Sequence, residues 1–147
     1  MRKLVVEIIS SLLIFLFAYT AFQKFSHHAT FLHTLERAGL SGFFAICLSW
    51  VVPIIELLVA SLLLFPSLRR TGLLVSIILL SGFTIYILYM LLFIPNLPCS
   101  CGGVISYLSW KQHLIFNISF LLLSLYGWRA LKTGKHIAIR NSRIPVI

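Results

Sequence analysis

The sequence contains no aspartate and only three glutamates, Glu7, Glu36 and Glu56. That scarcity argues against paired-carboxylate acid–base chemistry and against an acidic metal cage, both of which need several carboxylates in one place. Charge of either sign is scarce: 10% of the 147 residues are charged, while 60% are hydrophobic, far from the balance of a soluble domain. Cysteine is limited to Cys47, Cys99 and Cys101, too few for a disulfide framework but enough for one reactive pair.

What is present is apolar sequence in long runs. A helix crosses the roughly 30 Å hydrocarbon core with about 20 apolar residues, so a chain of this length holds about four spans. The runs fall at about 4–22, 43–65, 72–94 and 112–128, followed by a basic tail over 129–147. They leave no room for a separate soluble domain. The first run follows Arg2 and Lys3 as a signal peptide would. It is long and lacks an Ala-x-Ala exit, and is read as a retained span.

Between the first two spans the chain turns polar, with Lys24, His27, His28, His33, Glu36 and Arg37 among Phe31, Leu32 and Leu35. The i, i+1, i+4 spacing of the three apolar residues predicts a short amphipathic helix at the membrane interface. Pro66 and Ser67, with Arg69 and Arg70, mark a tight polar turn after the second span. Pro95, Asn96 and Pro98 close the third. The expected fold class is an all-α integral membrane four-helix bundle with this short interfacial helix between its first two spans.

The net charge of +9 reads as a topology signal and not as a nucleic-acid surface. Arg2, Lys3, Arg69, Arg70, Arg129, Lys132, Lys135, Arg140 and Arg143 lie on one side of the predicted spans, against Lys24, Arg37 and Lys111 on the other. The excess of basic residues predicts both termini in the cytoplasm. In a bacterial inner membrane, the loop carrying Cys99 and Cys101 then faces the periplasm, where thiols can be oxidised.

Cys99-Ser100-Cys101 sits between helix-breaking prolines and Gly102-Gly103. Two cysteines one residue apart can close a small strained disulfide, and strain makes such a bond labile and exchange-competent. The glycines allow another protein's backbone to approach. As metal ligands the two thiols fall short of a closed zinc site, although His27, His28 and His33 on the same side could complete a soft-metal site. Cys47, about one turn inside the second span, reads as a small buried hydrophobe within conceivable reach of the pair.

Within the spans, Glu56 is an ionisable residue near the middle of a helix, where it needs a partner, a proton or a water-lined cavity, and where proton or quinone handling is a natural role. Ser49, Pro53, Glu56 and Ala60 form one small, polar stripe directed inward. His113, Asn117 and Ser124 share a face of the fourth span, with Trp110 just outside it. His113 and Asn117 are expected to bond to the helix carrying Glu56 or to line a pocket beneath the cysteine loop. Gln23 and Lys24 supply a donor and a positive charge that would favour a thiolate placed nearby.

The order of these features resembles the DoxX-like superfamily of four-helix membrane proteins and, within it, the MauE branch linked to methylamine utilisation. The resemblance covers nearly the whole chain. It rests on Ala21-Phe22-Gln23-Lys24-Phe25 leading into a stretch with Phe31 and Leu35, on Pro53-Ile54-Ile55-Glu56-Leu57, on the Cys-x-Cys-x-Gly loop, and on Trp110 with Asn117. The family commonly has Cys-Gly-Cys-Phe-Gly where this chain has Cys-Ser-Cys-Gly-Gly, so both thiols and one glycine are kept and the aromatic residue is not.

The resemblance implies a membrane redox protein working with a periplasmic thioredoxin-like protein, as in maturation of a disulfide-rich dehydrogenase subunit. Related members are associated with quinone-linked sulfur oxidation. The expected activity is thiol–disulfide exchange at Cys99 and Cys101, with quinone as the candidate cofactor and Glu56, Lys24, Trp110, His113 and Asn117 in support. The alternatives are soft-metal binding or transport through Cys99, Cys101, His27, His28 and His33, and a non-catalytic subunit of a membrane assembly.

Overall fold

A computed structural model describes the backbone at residues 2–40, 42–93 and 110–141, and side chains at 3–40, 42–93 and 111–132. Cys99, Cys101 and the side chain of Trp110 lie outside the described residues. Those described form five helices in the order α1 (Arg2–Ser26), α2 (His28–Arg37), α3 (Phe43–Leu64), α4 (Arg69–Phe93) and α5 (Trp110–Asn141). Four of them, over Lys3–Ser26, Phe43–Leu64, Arg69–Phe93 and Lys111–Lys132, are long and apolar enough to cross a bilayer.

Lipid explains why these helices are apolar all round. Ile8, Phe15, Ile54, Leu58, Ile85 and Leu122 point outward and are exposed in the isolated chain. Such a surface would be unsustainable in water and is the ordinary exterior of a membrane bundle. Inside, α1 packs most extensively on α3, and α4 on α5. Lighter α3–α4 and α1–α5 seams close a ring of four helices.

The half of the bundle nearest the chain start is packed solid. Leu13 and Phe17 of α1 meet Val59 and Leu63 of α3 and Leu73 and Leu80 of α4. Lipid tails are as apolar as leucine, so association here depends on close packing, which small side chains with internally satisfied hydroxyls permit. Ser10, Ser76 and Ser124 are buried, and each hydroxyl donates to the carbonyl four residues back, on Val6, Gly72 and Phe120. Gly72 lets α4 approach α3 where they join, since a Cβ there would lie 2.9 Å from Leu63 Cδ2 and 3.1 Å from the Leu63 backbone nitrogen.

The expected spans are all present, with informative differences at their ends. α1 begins at Arg2 and runs to Ser26, past the predicted end at 22. α4 begins at Arg69, so the arginine pair belongs to its first turn and not to the preceding turn. The tail expected from 129 continues α5 to Asn141. Ala130, Leu131 and Lys132 are strong helix formers, and no proline follows before Pro145.

The amphipathic helix also forms, as α2, and its apolar side is folded onto the bundle, with Thr34 and Leu35 buried. It ends in a Schellman motif: the Leu40 N–H donates to the Leu35 carbonyl at 3.2 Å and the Gly39 N–H to Glu36 at 3.0 Å. Gly39 has φ +88°, a left-handed conformation that glycine adopts without penalty.

Candidate functional site

The half of the bundle nearer α2 is hollow. A cavity of about 540 Å³ lies among α1, α3, α4 and the start of α5, roofed by His27, Phe31, Leu35 and Leu40. This is the size of a small-molecule site. Its walls are largely apolar, with Leu16, Val52, Ile55, Phe83 and Phe116 among them, and its polar groups are few.

Two of those polar groups form an ion pair. Lys24, near the end of α1, and Glu56, in the middle of α3, meet with Nζ and Oε1 2.6 Å apart. Glu56 is 1% exposed and Lys24 18%. The Nζ also lies 5.6 Å from the ring centre of Phe31 and 5.2 Å from that of Phe83, so aromatic faces cover the cation. Glu56 Oε2 is buried and accepts no hydrogen bond from a described residue, while Thr20 sits close enough to act on the same carboxyl group.

The inward stripe on α3 is as the sequence indicates: Ser49, Pro53, Glu56 and Ala60 are all buried. The proline is accommodated inside the helix, as membrane helices tolerate. Glu56 is the counter-ion of Lys24, while the thiols that Lys24 was expected to favour lie outside the described residues.

On α5, His113 and Asn117 both line the cavity. Asn117 bonds to α4 instead of the helix carrying Glu56: its Nδ2 donates to the Leu80 carbonyl at 3.0 Å and to Thr84 Oγ1 at 2.9 Å. It therefore stitches α5 to α4 across one wall. Replacing Asn117 with leucine is expected to lower bundle stability by about 0.5–2 kcal/mol, the range of interhelical hydrogen bonds in membranes. Reversible unfolding in mixed micelles measures it, and an unchanged midpoint would remove the stitch from the account.

The three histidines near α2 are separated in role. His27 lines the cavity. His28 Nε2 is 3.0 Å from Ser49 Oγ, and its ring lies 4.5 Å from that of Trp50, fastening α2 to α3. His33 is exposed and paired with Glu36 at 3.1 Å. No group of three potential metal ligands forms among the described residues. Cys47 is a half-buried free thiol.

Sequence reasoning singled out Lys24 and Glu56 for separate roles and missed that they are partners. It also missed Thr20, Gly82, Phe83 and Tyr86 on the cavity wall. Thr20 was recoverable as the residue one turn before Lys24 on α1. For the α4 residues an apolar helix gives no such signal.

The geometry is that of a lipid-embedded chamber holding the Lys24–Glu56 ion pair of α1 and α3, its remaining walls supplied by α4 and α5, which flank the cysteine loop in sequence. Compared with known proteins, the chain matches the family model for methylamine utilisation protein MauE over residues 2–130. No curated protein and no solved structure matches it. With nearly the whole chain matched, and with four membrane spans, the protein belongs to the MauE family of multi-pass membrane proteins.

Proposed function

We propose that this protein exchanges thiol and disulfide equivalents with a periplasmic thioredoxin-like partner through Cys99 and Cys101, in MauE-type maturation of disulfide-rich proteins, and that a quinone serves it as electron carrier. The reading places the chain in a bacterial inner membrane with both termini cytoplasmic and the cysteine loop periplasmic. The observation that supports it most is the cavity at Lys24 and Glu56. It is walled in part by residues 75–87 of α4 and by the first turns of α5, the two helices that lead into and out of the cysteine loop.

The exchange chemistry belongs to the thiols. A partner thiolate attacks one sulfur of a Cys99–Cys101 disulfide, breaking that bond and forming a mixed disulfide. The partner's second thiolate then displaces the remaining cysteine, leaving the partner oxidised by two electrons and the pair reduced as a dithiol. The steps are reversible, and the relative potentials of partner and carrier set the direction.

The cavity residues fit a quinone. Lys24 has three N–H donors, one of them used on Glu56 and the rest facing aromatic rings that accept only weakly, so it can donate to a carbonyl oxygen. Glu56 Oε2 can accept from a hydroxyl. Phe31, Phe83 and Phe116 offer faces for a planar ring. When bound, a quinone supplies an acceptor for two electrons and two protons.

Trapping tests the exchange. A Cys101→Ser variant, or failing that Cys99→Ser, is expected to accumulate a mixed disulfide with a periplasmic thioredoxin-like protein, seen as a reductant-sensitive band and identified by mass spectrometry. If neither single-cysteine variant captures a partner, and maturation of the target survives both substitutions, the exchange reading is wrong.

A further inference from the structure

α3 and α4 form a hairpin that is closed at one end and open at the other. At the closed end Gly72 is pressed against Leu63, with no space for a Cβ. Ten residues further along α4, about 15 Å at the helical rise, Gly82 lines the cavity and is exposed, and a Cβ built on it would meet nothing within 4 Å. Leu48 of α3 and Ile78 of α4, the latter one turn before Gly82, also line the cavity and are exposed. Side chains that do both form a wall no more than one side chain thick. The wall between the cavity and the hydrocarbon region is therefore thin along this part of the α3–α4 seam, with open space at Gly82.

Inside the cavity stands the Lys24–Glu56 pair, with Glu56 almost fully buried and its Oε2 unbonded among the described residues. A guest suited to the whole space has a polar, oxygen-bearing ring at the ion pair and a long apolar chain running out through the open space at Gly82. Because Lys24 and Glu56 neutralise each other, an uncharged head is favoured over an ionic one.

We propose that the α3–α4 gap at Gly82 is a lateral entrance through which an alkyl- or prenyl-tailed quinone reaches the cavity from the bilayer, its tail lying against Gly82 and its ring carbonyl taking a hydrogen bond from Lys24. This rests on the reading of a quinone as electron carrier and adds the route, the tail requirement and the anchoring residue.

The test is equilibrium binding of labelled decylubiquinone and of tail-less duroquinone to the full chain in phosphatidylcholine nanodiscs. Gly82→Leu fills open space, so the bundle is expected to remain folded while decylubiquinone binds at least tenfold more weakly and duroquinone within twofold of wild type. Ile85→Phe, on the same helix but off the cavity, is expected to bind both probes normally. The double variant Lys24→Met with Glu56→Gln is expected to weaken both. The double variant Cys99→Ser with Cys101→Ser is expected to bind both like wild type, so binding is read independently of thiol exchange.

Absence of saturable binding by the wild type, indicating that bilayer lipid alone fills the space, would overturn the proposal. So would a Gly82→Leu variant that binds decylubiquinone normally, or an Ile85→Phe variant that loses as much. Binding that persists while partner trapping fails removes only the exchange reading. Trapping that succeeds while Gly82→Leu binds normally removes only the entrance.

Discussion

Lys24→Met alone is expected to destabilise the bundle by about 3–5 kcal/mol, while Lys24→Met combined with Glu56→Gln recovers most of that loss. Removing one member of a buried pair strands the other charge where solvation is poor. Glu56 is the less exposed partner, and no second cation is recorded against its carboxylate. Removing both charges leaves two neutral side chains of similar volume. The measurement is a double-mutant cycle on unfolding in mixed micelles. Single and double variants that lose equal stability would show that the pair contributes only through the bulk of Lys24.

Gly72→Leu is the second large effect, expected to cost about 1–3 kcal/mol as an overpacked contact. The first added carbon would lie 3.0 Å from Leu63 Cγ and 3.1 Å from a backbone nitrogen that cannot rotate aside. The α3–α4 hairpin must then open at its closed end. Gly82→Leu, ten residues along the same helix, is expected to stay within about 0.5 kcal/mol of wild type, as for a substitution that disturbs no packed feature. Melting curves of the two variants in one detergent make the comparison. Equal melting points would mean that the hairpin has no such taper.

The spans were legible because lipid imposes a crude rule, apolar runs of fixed length. The α3 stripe was legible because a helix places residues three and four apart on one face, as with Ser49, Pro53, Glu56 and Ala60. The pairing of Lys24 with Glu56 was not, since 32 positions separate them and apolar periodicity carries no information about which helix faces which. The same blindness left Asn117 between a bond to the helix carrying Glu56 and a place on a pocket wall: it lines the cavity, and α4 receives its hydrogen bonds. The cavity was invisible for a further reason. It is a shortage of side-chain volume distributed over α1, α3, α4 and α5, with only Gly82 to mark it in the sequence.

α5 continues to Asn141, past the span expected to end at 128 where the basic tail begins. Charge ends a membrane span and does not end a helix. Lys132 Nζ lies 5.4 Å from the Trp128 ring, an i, i+4 contact that continues the helical surface past the apolar segment.

The ion pair bears also on how the chain is made. During synthesis α1 enters the membrane before α3 emerges, and a lone ionised side chain at the centre of a helix opposes insertion by about 3 kcal/mol. Glu56 lies mid-helix, too deep to reach the headgroups by stretching, whereas Lys24 lies two residues from the end of α1 and can extend toward them. α1 can therefore wait in the bilayer with its cation at the surface until α3 arrives. The counter-ion of Glu56 is thus already in the bilayer when α3 arrives, carried by a helix made before it.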